Sequence, residues 1–422
     1  MQRCKFVGLP AYRRVSLMAG PLSHVRVLDL SRVMAGPWAT QLLADLGADV
    51  IKVERPGVGD DTRTWGPPFL KRKDGTNTDE SGYYLSTNRA KRSLTIDITK
   101  PKGQEIVRKL AAKSDIVFEN FKVGTLTRYG LDYAGLKAVN PKLIYCSITG
   151  FGQDGPRKDA VAYDFMIQAM GGLMSITGEP DGQPGGGPQK VGVPIVDLMT
   201  GMYSAVAVLA ALSRREQTGK GDFIDLAMLD VQATMLANQA MNYLLTGNAP
   251  KRHGNGHPNI MPQQVFKCAD GEIVLAVGND SQYAKLAEIL GVPELRDQRF
   301  ARNSGRVQNR TDMYGYLTLS FATWKRGDLL AALENAGVPS GPINSIPDAL
   351  ADVQIKHRNT VFELDHPVAG KVKQIANPIR YADAAIVYDK PAPGLGEHTA
   401  EILRELDLDD GAIASLKQDG VI

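Results

Sequence analysis

The feature that most constrains this chain is an alternation of strand and helix patterns over some 130 residues from Val25. Val25-Arg-Val-Leu-Asp-Leu30 alternates like a strand. Ser31 to Pro37 reads as a loop, and Trp38 to Leu46 carries helical spacing at Leu42, Leu43 and Leu46. Gly47 suits a helix stop. Asp49 to Arg55 is the next strand, which completes a βαβ unit and implies a parallel sheet. The pattern repeats. Arg92 to Asp97 reads as a strand, Pro101 opens a helix ending near Lys113, and Asp115 to Phe121 is a strand. One or two short helices between Leu126 and Val139 precede a strand over Lys142–Gly150. A doubly wound α/β domain is the expected architecture.

Beyond Gly150 the pattern changes. Gly171 to Pro188 is a Gly/Pro-rich loop, and Val191 to Val196 reads as a short apolar strand leading to Asp197. The apolar stretch Leu198–Leu212 has 15 residues. That is short of the roughly 20 that span a membrane, so it reads as a largely buried helix. Asp222 to Leu229 starts another strand–helix passage. Thr246 to Met261 is a loop carrying glycines, His253 and His257. Gln264–Cys268 and Glu272–Val277 suggest a hairpin around Asp270-Gly271. The expected division is a leader at 1–20, a large domain at 21–225 rejoined by 395–422, and a small α/β domain at 245–345. Linkers at 226–244 and 346–394 complete it.

Charge and cysteines exclude several classes. Lys and Arg total 49 against 46 Asp and Glu, a net of +3, without the clustered basic excess of a generic nucleic-acid binder. Cys4, Cys146 and Cys268 are odd in number and far apart, which excludes a disulfide framework or a CxxC metal site. No GxSxG or P-loop motif occurs, so serine hydrolase and NTPase chemistry have no support. Residues 1–20 hold Arg3, Lys5, Arg13 and Arg14 and no acid. They read as a disordered leader or an upstream start with Met18 as the working start. The absence of a secretory apolar region sets cytoplasm as the expectation, with a mitochondrial address left open by the basic leader.

Several residues carry two readings. The first βα turn, Ser31-Arg-Val-Met-Ala-Gly-Pro37, lacks a GxGxxG fingerprint, yet a helix start after a strand can hold a phosphate. Arg55 at a strand end suits a phosphorylated ribose, as in coenzyme A or NADP, or is a surface arginine. Arg89, Lys91 and Arg92 could grip a diphosphate or be a solvated face. Phe121 could pack on adenine beside Asn120 or sit in the core. Asp197 is either the N-cap of the apolar helix or a carboxylate nucleophile, and Asp164 is a second carboxylate in an apolar run or another helix cap. His253 and His257 lack a third ligand nearby, so metal binding is not expected. The glycines between them instead suit close approach of backbone amides to a ligand.

Taken in order, these segments resemble the family III coenzyme A transferases. Leu28-Asp-Leu-Ser-Arg-Val-Met-Ala-Gly-Pro37 is similar to the family's opening motif. It is followed by Gly47 to Gly57, Asn88 to Ser93, Glu119-Asn-Phe121, Tyr145 to Gly152, Gly171 to Gly178, Gly219-Lys-Gly, Gly254-Asn-Gly-His257 and Gly394 to His398. Gly57 to Phe69 and Tyr83-Tyr-Leu-Ser86 are similar to the succinyl-CoA:dicarboxylate (succinate–hydroxymethylglutarate or glutarate) branch. The formyl-CoA:oxalate branch has glutamine where this chain has Met34.

The resemblance implies a Rossmann-like large domain, a smaller α/β domain and an interlocked homodimer. It implies catalysis by Asp197 assisted by Asp164, with Gly254 and Gly256 over the site. Coenzyme A contacts are implied for Arg32, Ala35, Arg55, Ile96, Asn120, Phe121 and Arg128. Charge adds Arg89, Arg252 and His257 as candidate anchors for the acceptor's second carboxylate. Coenzyme A thioesters and small dicarboxylic acids are the implied substrates, with no permanent cofactor and no metal. Two rivals stay open. An α-methylacyl-CoA racemase of the same fold pairs a histidine with the aspartate, where this chain has Tyr163. A CoA- or NADP-binding protein without catalysis would need only Arg55 and the phosphate-friendly loops.

Overall fold

The computed structural model describes residues 20–386 and 388–422; the expected leader lies outside the described residues except for Gly20. The chain divides into two units. The first comprises residues 20–167, 193–235 and 359–422; the second comprises 168–192 and 236–358. This differs from the division expected from the sequence. Residues 168–192 join the second unit, and the return to the first unit begins at 359.

In chain order the first elements are β1 (Arg26–Asp29), α1 (Ala35–Asp45), β2 (Asp49–Glu54) and a short hairpin, β3 (Phe69–Lys71) and β4 (Asn77–Ser81). Then come α2 (Gly82–Leu85), β5 (Lys91–Thr95), α3 (Pro101–Ala112), β6 (Ile116–Glu119), α4 (Tyr133–Val139) and β7 (Ile144–Thr149). They are followed by α5 (Asp164–Met170), α6 (Leu173–Ile176), α7 (Ile195–Thr218), β8 (Asp222–Ala227) and α8 (Met228–Met235). Six of these strands form one sheet in the order β5-β2-β1-β6-β7-β8, and every pairing is parallel. Strand order reverses between β1 and β6, which opens a crevice at their carboxyl ends.

Helices cover both faces. On α3 the buried residues Gly103, Ile106, Val107, Leu110 and Ala111 recur at three- and four-residue spacing. They pack in one core with Leu28, Ile51 and Val117 of the sheet and with Ile402, Leu403 and Leu416 from the end of the chain. The opposite core joins Ala39 and Leu43 of α1 to Val196, Val208 and Leu212 of α7. Gly201 lets α7 approach α1 closely: a Cβ there would lie 2.7 Å from the Ala35 carbonyl oxygen.

Two expectations are corrected here. Residues 191–194 form no strand; α7 starts at Ile195 directly after Pro194, whose lack of an N–H suits a helix start. At 24 residues, α7 is also longer than its apolar stretch suggested, and by length and composition it could cross a membrane. Its face of Val196, Thr200, Gly201, Ser204, Ala205, Val208 and Leu212 is buried in the first unit.

The second unit holds α9 (Ala237–Thr246), then β9 (Gln263–Cys268) and β10 (Gly271–Ala276), paired antiparallel as the Asp270-Gly271 turn predicts. β11 (Ser340–Pro342) joins β10, and helices bury Leu286, Phe321 and Leu333 against this sheet. A hairpin, β12 (Val361–His366) and β13 (Gly370–Ile375), belongs to the first unit, within what was expected to be a linker.

Candidate active site

The crevice at the strand-order reversal gathers much of the expected site. From β1 the chain turns at Ser31–Met34 into α1; from β6 it passes directly to Asn120 and Phe121. The Asn120 side chain fixes these two exits to each other. Its Oδ1 accepts the Arg32 N–H at 2.9 Å, and its Nδ2 donates to the Arg32 carbonyl at 2.8 Å. The Arg32 guanidinium lies over the Phe121 ring at 5.6 Å and pairs with Asp61 at 3.0 Å. Phe121 is therefore a half-buried wall of the crevice, packed at the core's edge.

Two cavities meet at Arg32 and Phe121. One, of about 250 Å³, is lined by Arg32, Ala35, Asn120, Phe121, Tyr163 and Asp197. The other, of about 360 Å³, is lined by Arg55 and Ile96 together with Arg32 and Phe121. Arg128 is exposed on the 3-10 turn Leu126–Tyr129, whose Tyr129 lines the second cavity.

Asp197 is not the N-cap of α7. That position is Pro194, and Asp197 lies inside the first turn. The capping comes from a distant residue: Asp164 Oδ2 accepts the N–H groups of Val196 at 2.7 Å and Asp197 at 3.1 Å. Asp164 thus satisfies two amides of the helix start and brings a second carboxylate beside Asp197. Burial, and secondarily the charge of Asp164, push the Asp197 carboxyl up to about 7. A carboxylate so raised is poorly solvated, as a nucleophile needs.

Sequence reasoning passed over three groups. Lys122 and Lys158 bring cations to the Asp197 cavity. Lys122 directly follows Asn120-Phe121, which was the available signal; Lys158 sits in an irregular loop and had none. Tyr83 on α2 stacks edge-on to Trp65 at 5.2 Å. Burial, and then the charges of Asp197 and Asp164, push its phenol up to about 12, so it keeps its proton.

The expected acid anchors are otherwise engaged. Arg89 is buried and forks onto Asp45 at 2.8 and 2.6 Å, with its third nitrogen on the Ile375 carbonyl. In the second unit, Arg252 pairs with Asp181 and donates to the Glu179 carbonyl. Burial and the nearby Arg310 hold the His257 imidazole below its usual range, and its Nδ1 accepts the Asn259 N–H. His257 is therefore uncharged at neutral pH. The glycine amides have partners too: Gly254 donates to the Gly178 carbonyl at 3.1 Å and Gly256 to that of His253 at 2.8 Å. Neither points an unengaged N–H at a ligand in this conformation. No cluster of three or more metal-ligating side chains occurs among the described residues.

The sequence model of CoA-transferase family III matches residues 22–399. A succinate–glutarate CoA-transferase of Agrobacterium fabrum is 49% identical over 388 residues, 92% of this chain and 96% of that one. A succinyl-CoA:glutarate CoA-transferase of Mus musculus is 45% identical, over 95% of this chain and 90% of its own. Among solved structures, a CAIB/BAIF family protein from Brucella suis superposes with a TM-score of 0.80 at 50% identity. That match covers 92% of this chain and all of the other.

Proposed function

The chain belongs to CoA-transferase family III, and on that premise we propose that it moves coenzyme A from succinyl-CoA to glutarate or a closely related dicarboxylic acid. The single observation that carries the chemistry is Asp197. It is a half-buried carboxylate with a raised pKa, in a helix start capped by Asp164, on the wall of a cavity.

The reaction needs an acyl-group acceptor that can itself be displaced. The Asp197 carboxylate oxygen attacks the thioester carbonyl, the C–S bond breaks, and coenzyme A leaves as its thiolate. The thiolate then attacks the aspartyl carbonyl of the mixed anhydride, which releases succinate and leaves an aspartyl-CoA thioester. The incoming carboxylate attacks that thioester, and the returning thiolate attacks the acyl carbonyl of the second anhydride. Product forms and Asp197 is restored. One thioester is exchanged for another, so the reaction is near balance. Lys122, Lys158 and the Tyr83 phenol supply positive charge and a donor near the developing anions. Arg32, Ala35, Asn120 and Phe121 along one cavity, with Arg55 and Ile96 along the other, suit an extended nucleotide thioester. A homodimer fits the exposed Met202, Tyr203 and Val206 on α7, which a second copy would cover.

The test is exchange. Purified protein is mixed with succinyl-CoA and, separately, glutarate, hydroxymethylglutarate, malate, itaconate and oxalate. New thioesters are read by chromatography and mass, with Asp197→Ala alongside. Glutaryl-CoA that appears with the wild type and vanishes in the variant supports the assignment. Exchange surviving in Asp197→Ala would remove the proposed nucleophile. Deuterium entering Cα of a 2-methylacyl-CoA without exchange would replace the reading with a racemase.

A further inference from the structure

We propose that the buried ion pair Lys52–Asp60 is a positioning device that holds the Ser31–Ala35 turn in a strained, binding-ready shape. The inference rests on reading this crevice as the coenzyme A site.

The strain is local and visible. Val33 has φ of +72°, a conformation that a β-branched residue adopts only under compulsion. The compulsion comes from outside the turn. The Val33 N–H is shared between the two carboxylate oxygens of Asp60, at 3.2 and 3.3 Å. Lys52 Nζ donates to Asp60 Oδ2 at 2.8 Å and to the Ser31 carbonyl at 3.0 Å. Lys52 thus ties down the start of the turn directly and the Val33 amide through Asp60. Between them, both backbone groups of Arg32 are held by Asn120. Four consecutive backbone polar groups, from the Ser31 carbonyl to the Val33 N–H, each have a side-chain partner from another segment.

Asp60 is itself fixed. It accepts from the Thr62 N–H at 3.0 Å and the Thr62 hydroxyl at 2.8 Å, and its own N–H donates to Glu54 at 2.9 Å. Both charged side chains of the pair are wholly buried. Arg32, Val33, Met34 and Ala35 all line the Asp197 cavity. A turn free to relax would leave the competent shape only fractionally populated, and apparent affinity falls by that fraction.

Glycine separates strain from anchoring, because it takes a positive φ at little cost. Val33→Gly is expected to raise the melting temperature; a fall would show that Val33 is not strained, whatever the protein binds. Asp60→Asn is expected to raise the Kd for coenzyme A, by calorimetry, and the KM for succinyl-CoA about tenfold, with kcat changed less than about threefold. Combining Val33→Gly with Asp60→Asn is expected to recover most of that loss, since the turn no longer needs its clamp.

A folded Asp60→Asn protein with unchanged Kd would overturn the proposal, as would a double variant that binds no better. If Asp60→Asn fails to fold, the double variant decides. Coenzyme A binding by it supports positioning, and its failure to fold makes the pair purely structural. Wild-type protein that binds no coenzyme A would instead overturn the reading of the crevice, leaving the Val33→Gly melting result to stand alone.

Discussion

The Ser31–Ala35 turn of the first unit and the His253–His257 loop of the second are both irregular segments, held to different degrees. The first is fixed by side chains from four places: Asp29, Lys52, Asp60 and Asn120, three of them fully buried. The second has fewer such anchors: Gly254 donates to the Gly178 carbonyl and Gly256 to that of His253, Arg310 holds the His257 carbonyl at 2.8 Å, and its residues are half-buried or exposed. Buried side-chain anchors resist rearrangement because every lost contact leaves a polar group unsatisfied. Backbone bonds in a glycine loop break and re-form with water at little cost. A transferase must grip one constant carrier and admit a changing acid. The contrast marks the clamped turn as the proposed grip on that carrier.

The sharpest way to break this contrast is at the proposed nucleophile. Asp197→Ala is expected to reduce exchange by at least about 1000-fold. Its Kd for coenzyme A should stay within about threefold of wild type, because the carrier is held elsewhere. A large loss of binding would show that the clamped turn is not the main grip.

Asp164→Asn comes next. The amide oxygen still caps α7, but the negative charge beside Asp197 is gone. The nucleophile must be ionised, so wild-type kcat should rise with pH through about 7. Burial raises Asp197 first and Asp164 second, so the variant's limb should shift to lower pH without reaching an ordinary carboxylate value. A pH–rate profile that does not move would detach Asp164 from the chemistry.

Gly254→Ala tests the loop. Gly254 has φ of +55°, and an added Cβ would sit 2.6 Å from a Glu179 carboxylate oxygen. The Glu179 carboxylate, at the end of a flexible side chain, can move aside, but the positive φ strains the loop backbone. A lower melting temperature is expected, with the Kd for coenzyme A unchanged. A weaker Kd for coenzyme A would erase the contrast.

The smallest effect is on stability. With its folded pKa near 7, Asp197 binds a proton more tightly in the folded than in the unfolded chain between about pH 4 and 7. Stability therefore falls as pH rises across that window. Asp197→Asn should melt higher than wild type at pH 8, by a margin that shrinks at pH 5. Parallel melting curves at both values would mean that Asp197 is better solvated than its surroundings imply.

The sheet and its crevice were legible because they arise from local pattern. Alternation at Val25–Leu30 and spacing at Leu42, Leu43 and Leu46 report burial within a few residues of chain. Asn120 and Phe121 could be placed because strand ends in a parallel sheet fall on one side. Legibility failed where partners are distant. Nothing near Asp197 reveals that Asp164, 33 residues earlier, caps its helix, so the local N-cap reading looked natural. Arg89 looked available because Asp45 lies 44 residues away on another element. Arg252 looked available because its partner Asp181 lies 71 residues away, within a glycine-rich stretch. Charge alone cannot show which cation is already matched; that depends on tertiary pairing.

The first unit is also broken into three stretches of chain, with Ile402, Leu403 and Leu416 completing a core begun at Leu28. During synthesis, all six strands of the sheet emerge well before Ile402, Leu403 and Leu416. A nascent chain halted at Arg358 carries its six-stranded sheet with that side of the core still open to water. Contacts this distant in sequence slow folding and lengthen the exposure of sticky surface. The fold thus sets a timetable for the cell, in which this core closes only once residues beyond 400 have been made.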